Sequence, residues 1–106
     1  MPKINIIDYS KTIKQLWQPY EIAFVNSTAL RVAKIKGAYK WHVHKKEDEF
    51  FLVIQGSVFI DTENETVELQ KGDGYLVKMG VKHRSRAEEE AIILLVEPTK
   101  TKTMGE

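Results

Sequence analysis

The stretch "GAYKWHVHKKEDEFFLVIQG", residues 37–56, decides the fold. Two of the chain's three histidines, His42 and His44, flank a single valine in it. On a β-strand, residues i and i+2 share a face and stand roughly 7 Å apart, so both imidazoles can converge on one ion. On a helix the same pair would diverge by about 200°. Tyr39, Trp41 and Val43 suit a strand, which favours the β reading. The charged run Lys45-Lys46-Glu47-Asp48 then marks a bend, after which the chain resumes as a new strand. Glu49 lies at an odd offset from His44 and reaches the same side only because of that bend. Phe51 and Val53 follow it inward. Glu47 and Asp48 compete for the role of carboxylate ligand and are otherwise solvated turn residues.

Outward from this stretch the pattern is of short β-rich runs. Downstream they are "SVFI" (57–60), "TVEL" (66–69), "YLV" (75–77) and "AIILLV" (91–96), cut by "DTENE", "KGDG", "KMGVK" and "AEEE". Upstream, "YEIAFVNSTALRVAKIKG" (20–37) predicts two strands turning at Asn26-Ser27. Short strands about every ten residues indicate an all-β sandwich or barrel rather than βαβ units. Before them, "YSKTIKQLWQ" (9–18) spaces Ile13, Leu16 and Trp17 as a short helix does, with Ser10 as N-cap and Pro19 as its stop.

The 106 residues allow one domain, 1–106, with a barrel core at about 28–97. A net charge of +1 and the lack of a basic stripe argue against a nucleic-acid partner. With no cysteine, disulfides, thiolate zinc sites and cysteine nucleophiles are excluded, so any metal is bound by nitrogen and oxygen. The longest apolar run is far too short for a membrane span, and the polar start "MPKINIIDYSK" is no signal peptide. A soluble cytoplasmic protein is the expectation.

His83, the remaining histidine, follows the turn "KMGVK", where Gly80 permits a positive φ. A histidine there can enter a barrel mouth, and Ser85 shares its face. Three histidines and one carboxylate make an N₃O donor set that suits Zn, Fe, Mn, Co, Ni or Cu and leaves positions open for water or substrate. Tyr75, Lys78, Arg31, Lys34 and Trp41 are candidates for substrate contact wherever they reach the mouth.

In these residues the chain resembles a cupin. The first cupin motif is matched by Gly37, His42-Val43-His44, Glu49 and Gly56, with one residue fewer after the first glycine. The second is matched by Gly72, Gly80 and His83, but Lys78 stands where proline is usual and Ala87 where asparagine is usual. The resemblance spans about residues 35–97 and selects Glu49 among the acids. It implies a double-stranded β-helix (jelly-roll) barrel holding one divalent metal per subunit on His42, His44, Glu49 and His83, usually in a homodimer. Phe51, Val53, Tyr75 and Ser85 are the expected pocket residues. The function expected is that of a small metalloenzyme, dioxygenase- or isomerase-like, acting on a small polar molecule. The alternative is a non-catalytic module for a metal or small ligand.

Overall fold

The computed structural model describes residues 3–103. It begins with one short helix, α1 (Ile6–Ser10), followed by seven strands: β1 (Tyr20–Val25), β2 (Thr28–Ala38), β3 (Glu49–Gln55), β4 (Val58–Thr62), β5 (Thr66–Leu69), β6 (Gly74–Val77) and β7 (His83–Pro98). Every pairing is antiparallel. The ladder runs β1-β2-β7-β3-β6, while β4 pairs with β5 and with the first residues of β7. The result is a jelly-roll barrel.

β7 is the element that closes it. Its start, His83–Arg86, pairs with β4, and its later part pairs with β2 on one side and β3 on the other. Between them Glu88, Glu89 and Glu90 are exposed, and the register on β2 jumps from Ile35↔Ala91 to Gly37↔Ala87. The sequence expectation made "AEEE" a break between elements. It is instead a bend within one continuous strand, where extra residues turn β7 from one sheet into the other. Gly56, at the end of β3, has φ 89°, and a Cβ there would stand 2.9 Å from that of Ala91. Only glycine fits so close an approach in the left-handed region.

Alternation along β2, β3, β4 and β7 builds the core. Ala33 and Ile35, Phe51 and Val53, and Ile93 and Leu95 face inward and are buried. On the outer side of the sheet a second apolar layer gathers Val32, Ile92 and Leu94 around Ile13. The N-terminal segment covers that layer.

This segment departs from the sequence expectation. Asn5, not Ser10, is the N-cap, with Oδ1 accepting from the Asp8 N–H at 3.0 Å. Ser10 is the helix's last residue, and its hydroxyl donates to the Ile7 carbonyl at 2.6 Å. Thr12 does the same to Tyr9 at 2.7 Å, so the Ser10 hydroxyl, expected as a start signal, joins that of Thr12 in satisfying carbonyls at the helix end. Trp17 then takes φ 63°, which no helix admits. A bulky residue in that region costs about 1–3 kcal/mol. Two hydrogen bonds hold it there, Trp17 N–H to the Lys34 carbonyl at 2.9 Å and Nε1 to that of Lys36 at 3.0 Å. Among the described residues, no helix is long and apolar enough to cross a membrane.

Candidate metal centre

The segment carrying His42 and His44 is not the regular strand its pattern suggests. It is extended but makes a single bridge, His42 to His83. That bridge is reciprocal, with each N–H donating to the other's carbonyl at 2.9 Å. One turn further on, the Gly80 N–H donates to the His44 carbonyl at 2.8 Å. The two loops bearing the three histidines are thus tied backbone to backbone. Gly80 has the positive φ (82°) that this turn needs.

Glu49 enters from the other side as the first residue of β3, in phase with Phe51 and Val53, and is 1% exposed. His42, His44, Glu49 and His83 each place one ligand atom so that all four lie within 4.8 Å of one another. Asp48 turns away. Its carboxylate accepts the Met79 N–H at 2.8 Å and faces Lys78 Nζ at 3.5 Å, anchoring the turn that replaces the usual proline at Lys78. Glu47, largely buried, is not part of the four-residue cluster. Ala87 is packed in the core.

The hydrogen bonds around the cluster determine which nitrogens face inward. His42 Nδ1 lies 3.0 Å from the Lys40 carbonyl, and His83 Nδ1 lies 3.0 Å from that of Val81. A carbonyl only accepts, so each Nδ1 carries the proton and each Nε2 keeps a lone pair. His44 Nε2 and His83 Nε2 approach Glu49 Oε1 at 3.3 and 3.4 Å. Yet those nitrogens and both Glu49 oxygens are buried without a properly aligned hydrogen-bond partner. Buried polar atoms left unsatisfied cost about 1–3 kcal/mol each, more when charged. The donor set is N₃O, and its four potential ligand atoms lie together with several of them unsatisfied. These residues fit a divalent cation.

The electrostatics agree. Burial would raise the Glu49 pKa, but its contacts with His44, His83 and Glu97 bring it down to about 2. Burial and the neighbouring histidines lower that of His42. At His44 burial also acts downward, but the Glu49 carboxylate outweighs it. Glu97, 2% exposed, goes the other way: burial and the Glu49 charge push it up to about 7. Sequence reasoning missed Glu97, although alternation from Leu95 puts it on the inward face.

Beside the cluster lies a small cavity of about 30 Å³, with His42 and Glu49 on its wall. Of the four expected pocket residues, Phe51 and Ser85 line it. Val53 is buried in the core instead, and Tyr75 donates its hydroxyl to Glu65 at 3.0 Å on the surface. The basic candidates are engaged elsewhere. Arg31 binds Glu21 and Glu97, Lys34 binds the Ile13 carbonyl and Glu90, and Lys78 faces Asp48. Trp41 stacks with Arg84. Trp17 and Tyr39 occupy the cavity wall in their place. The apolar spacing puts Trp17 on a helix, and nothing local in the sequence signals its left-handed backbone.

Fold and site together define a jelly-roll barrel with a buried histidine–carboxylate cluster opening on a small cavity. The sequence model of the cupin domain family (Cupin_2) matches residues 31–97, and the chain belongs to that family. It is 32% identical over 101 residues to the uncharacterized protein YdbB of Bacillus subtilis (strain 168), covering 94% of this chain and 89% of that one. A cupin-2 domain containing protein from Shewanella frigidimarina NCIMB 400 superposes with TM-score 0.87 at 35% identity, over 90% of this chain and 93% of that one. Hydroquinone 1,2-dioxygenase from Sphingomonas sp. TTNP3 superposes with TM-score 0.75 over 89% of this chain and 72% of that one. At 15% identity that last likeness shows the fold alone.

Proposed function

We propose that this cupin binds a divalent metal ion, one per subunit, through His42, His44, Glu49 and His83. We further propose that it acts as a small metalloenzyme, dioxygenase- or isomerase-like, on a small organic molecule held in the adjoining cavity. The observation that carries this reading is the convergence of four donor groups, with their buried lone pairs unsatisfied, at the wall of that cavity. The donor set suits Zn, Fe, Mn, Co, Ni or Cu. An ion held there supplies Lewis-acid polarisation of a bound oxygen or, for a redox-active metal, dioxygen chemistry. The chain's own residues orient the ligands: the Lys40 and Val81 carbonyls fix the tautomers of His42 and His83, and the apolar wall excludes water. The dioxygenase among the fold neighbours is consistent with this class of activity.

A binding module without catalysis is the second reading. It is favoured by the sparse acid–base equipment of the wall, where Tyr39 is the titratable side chain beyond the cluster among the described residues. A homodimer is also proposed. Leu30, Val96, Phe50 and Leu76 form one in-register apolar row on the outer face of β2, β7, β3 and β6, and Leu76 is 47% exposed. Light scattering on the purified protein tests it, and a monomeric mass rejects it.

Metal analysis of the purified protein, followed by oxygen-uptake and turnover screening, tests the central reading. We expect stoichiometric metal in the parent and its loss from folded His42→Ala and His83→Ala variants. Full occupancy in both variants would overturn the four-ligand assignment. Inertness of the loaded protein over a broad substrate panel would favour the binding module.

A further inference from the structure

We infer that the cavity takes a phenol-class ligand: a small flat molecule with an uncharged aromatic body and a hydroxyl oxygen. The ring lies against Trp17, Tyr39 and Phe51, and the oxygen points toward His42 and Glu49. The direction of the oxygen rests on the metal reading above, whereas the choice of an uncharged ring rests on the cavity walls alone.

The walls are apolar where the inward faces of three strands meet, with Ala33 and Ile35 from β2, Phe51 from β3, and Ile93 and Leu95 from β7. A polyhydroxylated body such as a sugar would leave its hydroxyls without partners against these side chains. Much of what polar capacity the wall has is already used. The Thr103 hydroxyl donates to Glu97 and accepts from Arg31, and Trp17 Nε1–H donates to the Lys36 carbonyl. Ser85 and the cluster itself remain to meet an oxygen, at one end of the space.

Charge points the same way. Among the described residues lining the cavity there is no lysine or arginine, and Glu49 is the carboxylate. Arg31, two residues from Ala33 on the same strand face, is the obvious cation for an anionic substrate, but both of its Nη nitrogens are engaged. Nη1 contacts Glu97 at 3.1 Å, the Thr101 carbonyl at 3.0 Å and the Thr103 hydroxyl at 3.0 Å. Nη2 contacts Glu21 at 3.0 Å and the Thr99 carbonyl at 2.7 Å. It ties the C-terminal segment to the barrel. A phosphate or sulfate on the ligand would therefore enter beside Glu49 with no cation of the chain to meet it.

Shape supplies the aromatic requirement. The Trp17 and Tyr39 rings lie 5.1 Å apart, Tyr39 meets the edge of His42 at 5.3 Å, and Phe51 meets the edge of His83 at 6.1 Å. Rings thus run without a gap from the tryptophan to the cluster, and a flat ring among them finds both faces and edges to pack on.

Trp17 is itself the reporter. Trp41 packs on Arg84, away from the cavity, so Trp41→Phe leaves Trp17 as the only tryptophan. In zinc-loaded protein of that background, we expect phenol to shift Trp17 emission saturably. Phenyl phosphate should bind at least about tenfold more weakly, and glucose should give no response. Tyr39→Ala should weaken phenol about tenfold with metal content unchanged. Absence of saturable phenol binding by protein shown to contain zinc would overturn the inference and leave the metal reading standing, as would glucose or phenyl phosphate binding as well as phenol. After chelation, phenol's advantage over toluene should shrink, because only Ser85, His42 and Glu49 then remain to meet its oxygen. An advantage unchanged by chelation would overturn the orientation of the oxygen toward the ion, while the metal reading, tested by zinc content, and the aromatic class would stand.

Discussion

Two buried carboxylates of this barrel sit in opposite circumstances. Asp61, on β4, is 5% exposed and complete. Its Oδ2 accepts from Arg84 Nε at 2.9 Å and Arg86 Nε at 2.8 Å, and its Oδ1 from Thr66 at 2.7 Å and Arg86 Nη2 at 3.3 Å. The two guanidiniums are held in turn over Trp41 and Phe59. Glu49, on β3, is buried more deeply, and neither of its oxygens has an aligned partner. Both pKa values are depressed, Asp61 first by Arg86 and Glu49 by its imidazole and Glu97 contacts against the pull of burial. A low pKa therefore does not by itself mark a functional site. What sets Glu49 apart from Asp61 is that it has no aligned partner and lies with three histidines, one potential ligand atom from each within 4.8 Å of the others.

The largest expected effect exploits that contrast. A ligating divalent ion at a thousandfold excess over its Kd should stabilise the parent by about 4 kcal/mol. Glu49→Gln should abolish most of that increment, whereas Asp61→Asn should retain it. Thermal melts with and without added ion read this directly. Equal gains in the parent and Glu49→Gln would remove Glu49 from the ligand set. Next in size, Asp61→Ala should destabilise the protein by about 2 kcal/mol with metal or without it, since it strips acceptors from two guanidiniums. Urea titration checks this, and a loss that appeared only in the metal-loaded form would merge the two regions into one.

The contrast also explains what could be read without coordinates. The runs "FFLVI", "SVFI", "TVEL" and "AIILLV" are short, β-rich and cut by turn signals about every ten residues, so the barrel was legible in them. The clustering of His42, His44, Glu49 and His83 was foreshadowed by the histidine spacing, but Glu49 was singled out from Glu47 and Asp48 only by the resemblance to the cupin motif. Asp61 was not, since its partners Thr66, Arg84 and Arg86 are fixed only by the pairing of β4 with β5 and β7. The cavity wall was half legible. Alternation places Phe51 and Ser85, whereas Trp17 reaches the wall through a left-handed residue stabilised by carbonyls on β2, a tertiary contact that overrides the local helix pattern. Tyr75 packs its ring against the core while its hydroxyl meets Glu65, a partner the strand pattern does not announce.

Opposite pKa shifts give Asp61 and Glu97 opposite pH signatures. The Asp61 pKa is lowered on folding, so its contribution is present above the unfolded value near 4 and is lost as pH falls below it. Glu97, beside Glu49, is raised to about 7 in the folded protein. There the native state holds a proton that the unfolded state has released, so metal-free stability should decline as pH rises from about 4 to about 7. Glu97→Gln should flatten that decline and leave the acid limb unchanged. Denaturant titrations at intervals across the range measure both slopes. A rising slope between those values in the metal-free parent would show that Glu97 is ionised when folded.

The smallest effect isolates one hydrogen bond of the complete region. Thr66→Val keeps the shape of the side chain and removes the hydroxyl that donates to Asp61 at 2.7 Å. Arg86 Nη2 still reaches that oxygen at 3.3 Å, so the carboxylate is not orphaned and the loss should be about 1 kcal/mol. The change lies on the exposed side of β5, and metal affinity should not move. Titrating metal into this variant alongside Glu97→Gln sharpens the comparison, because an altered outer partner of a ligand typically changes affinity by about 10–100-fold. Unchanged affinity in Thr66→Val with a shifted value in Glu97→Gln would place the functional boundary between Asp61 and Glu97. Equal shifts in both would mean that the barrel transmits strain between two regions that share β7, and the division drawn from their hydrogen bonds would fail.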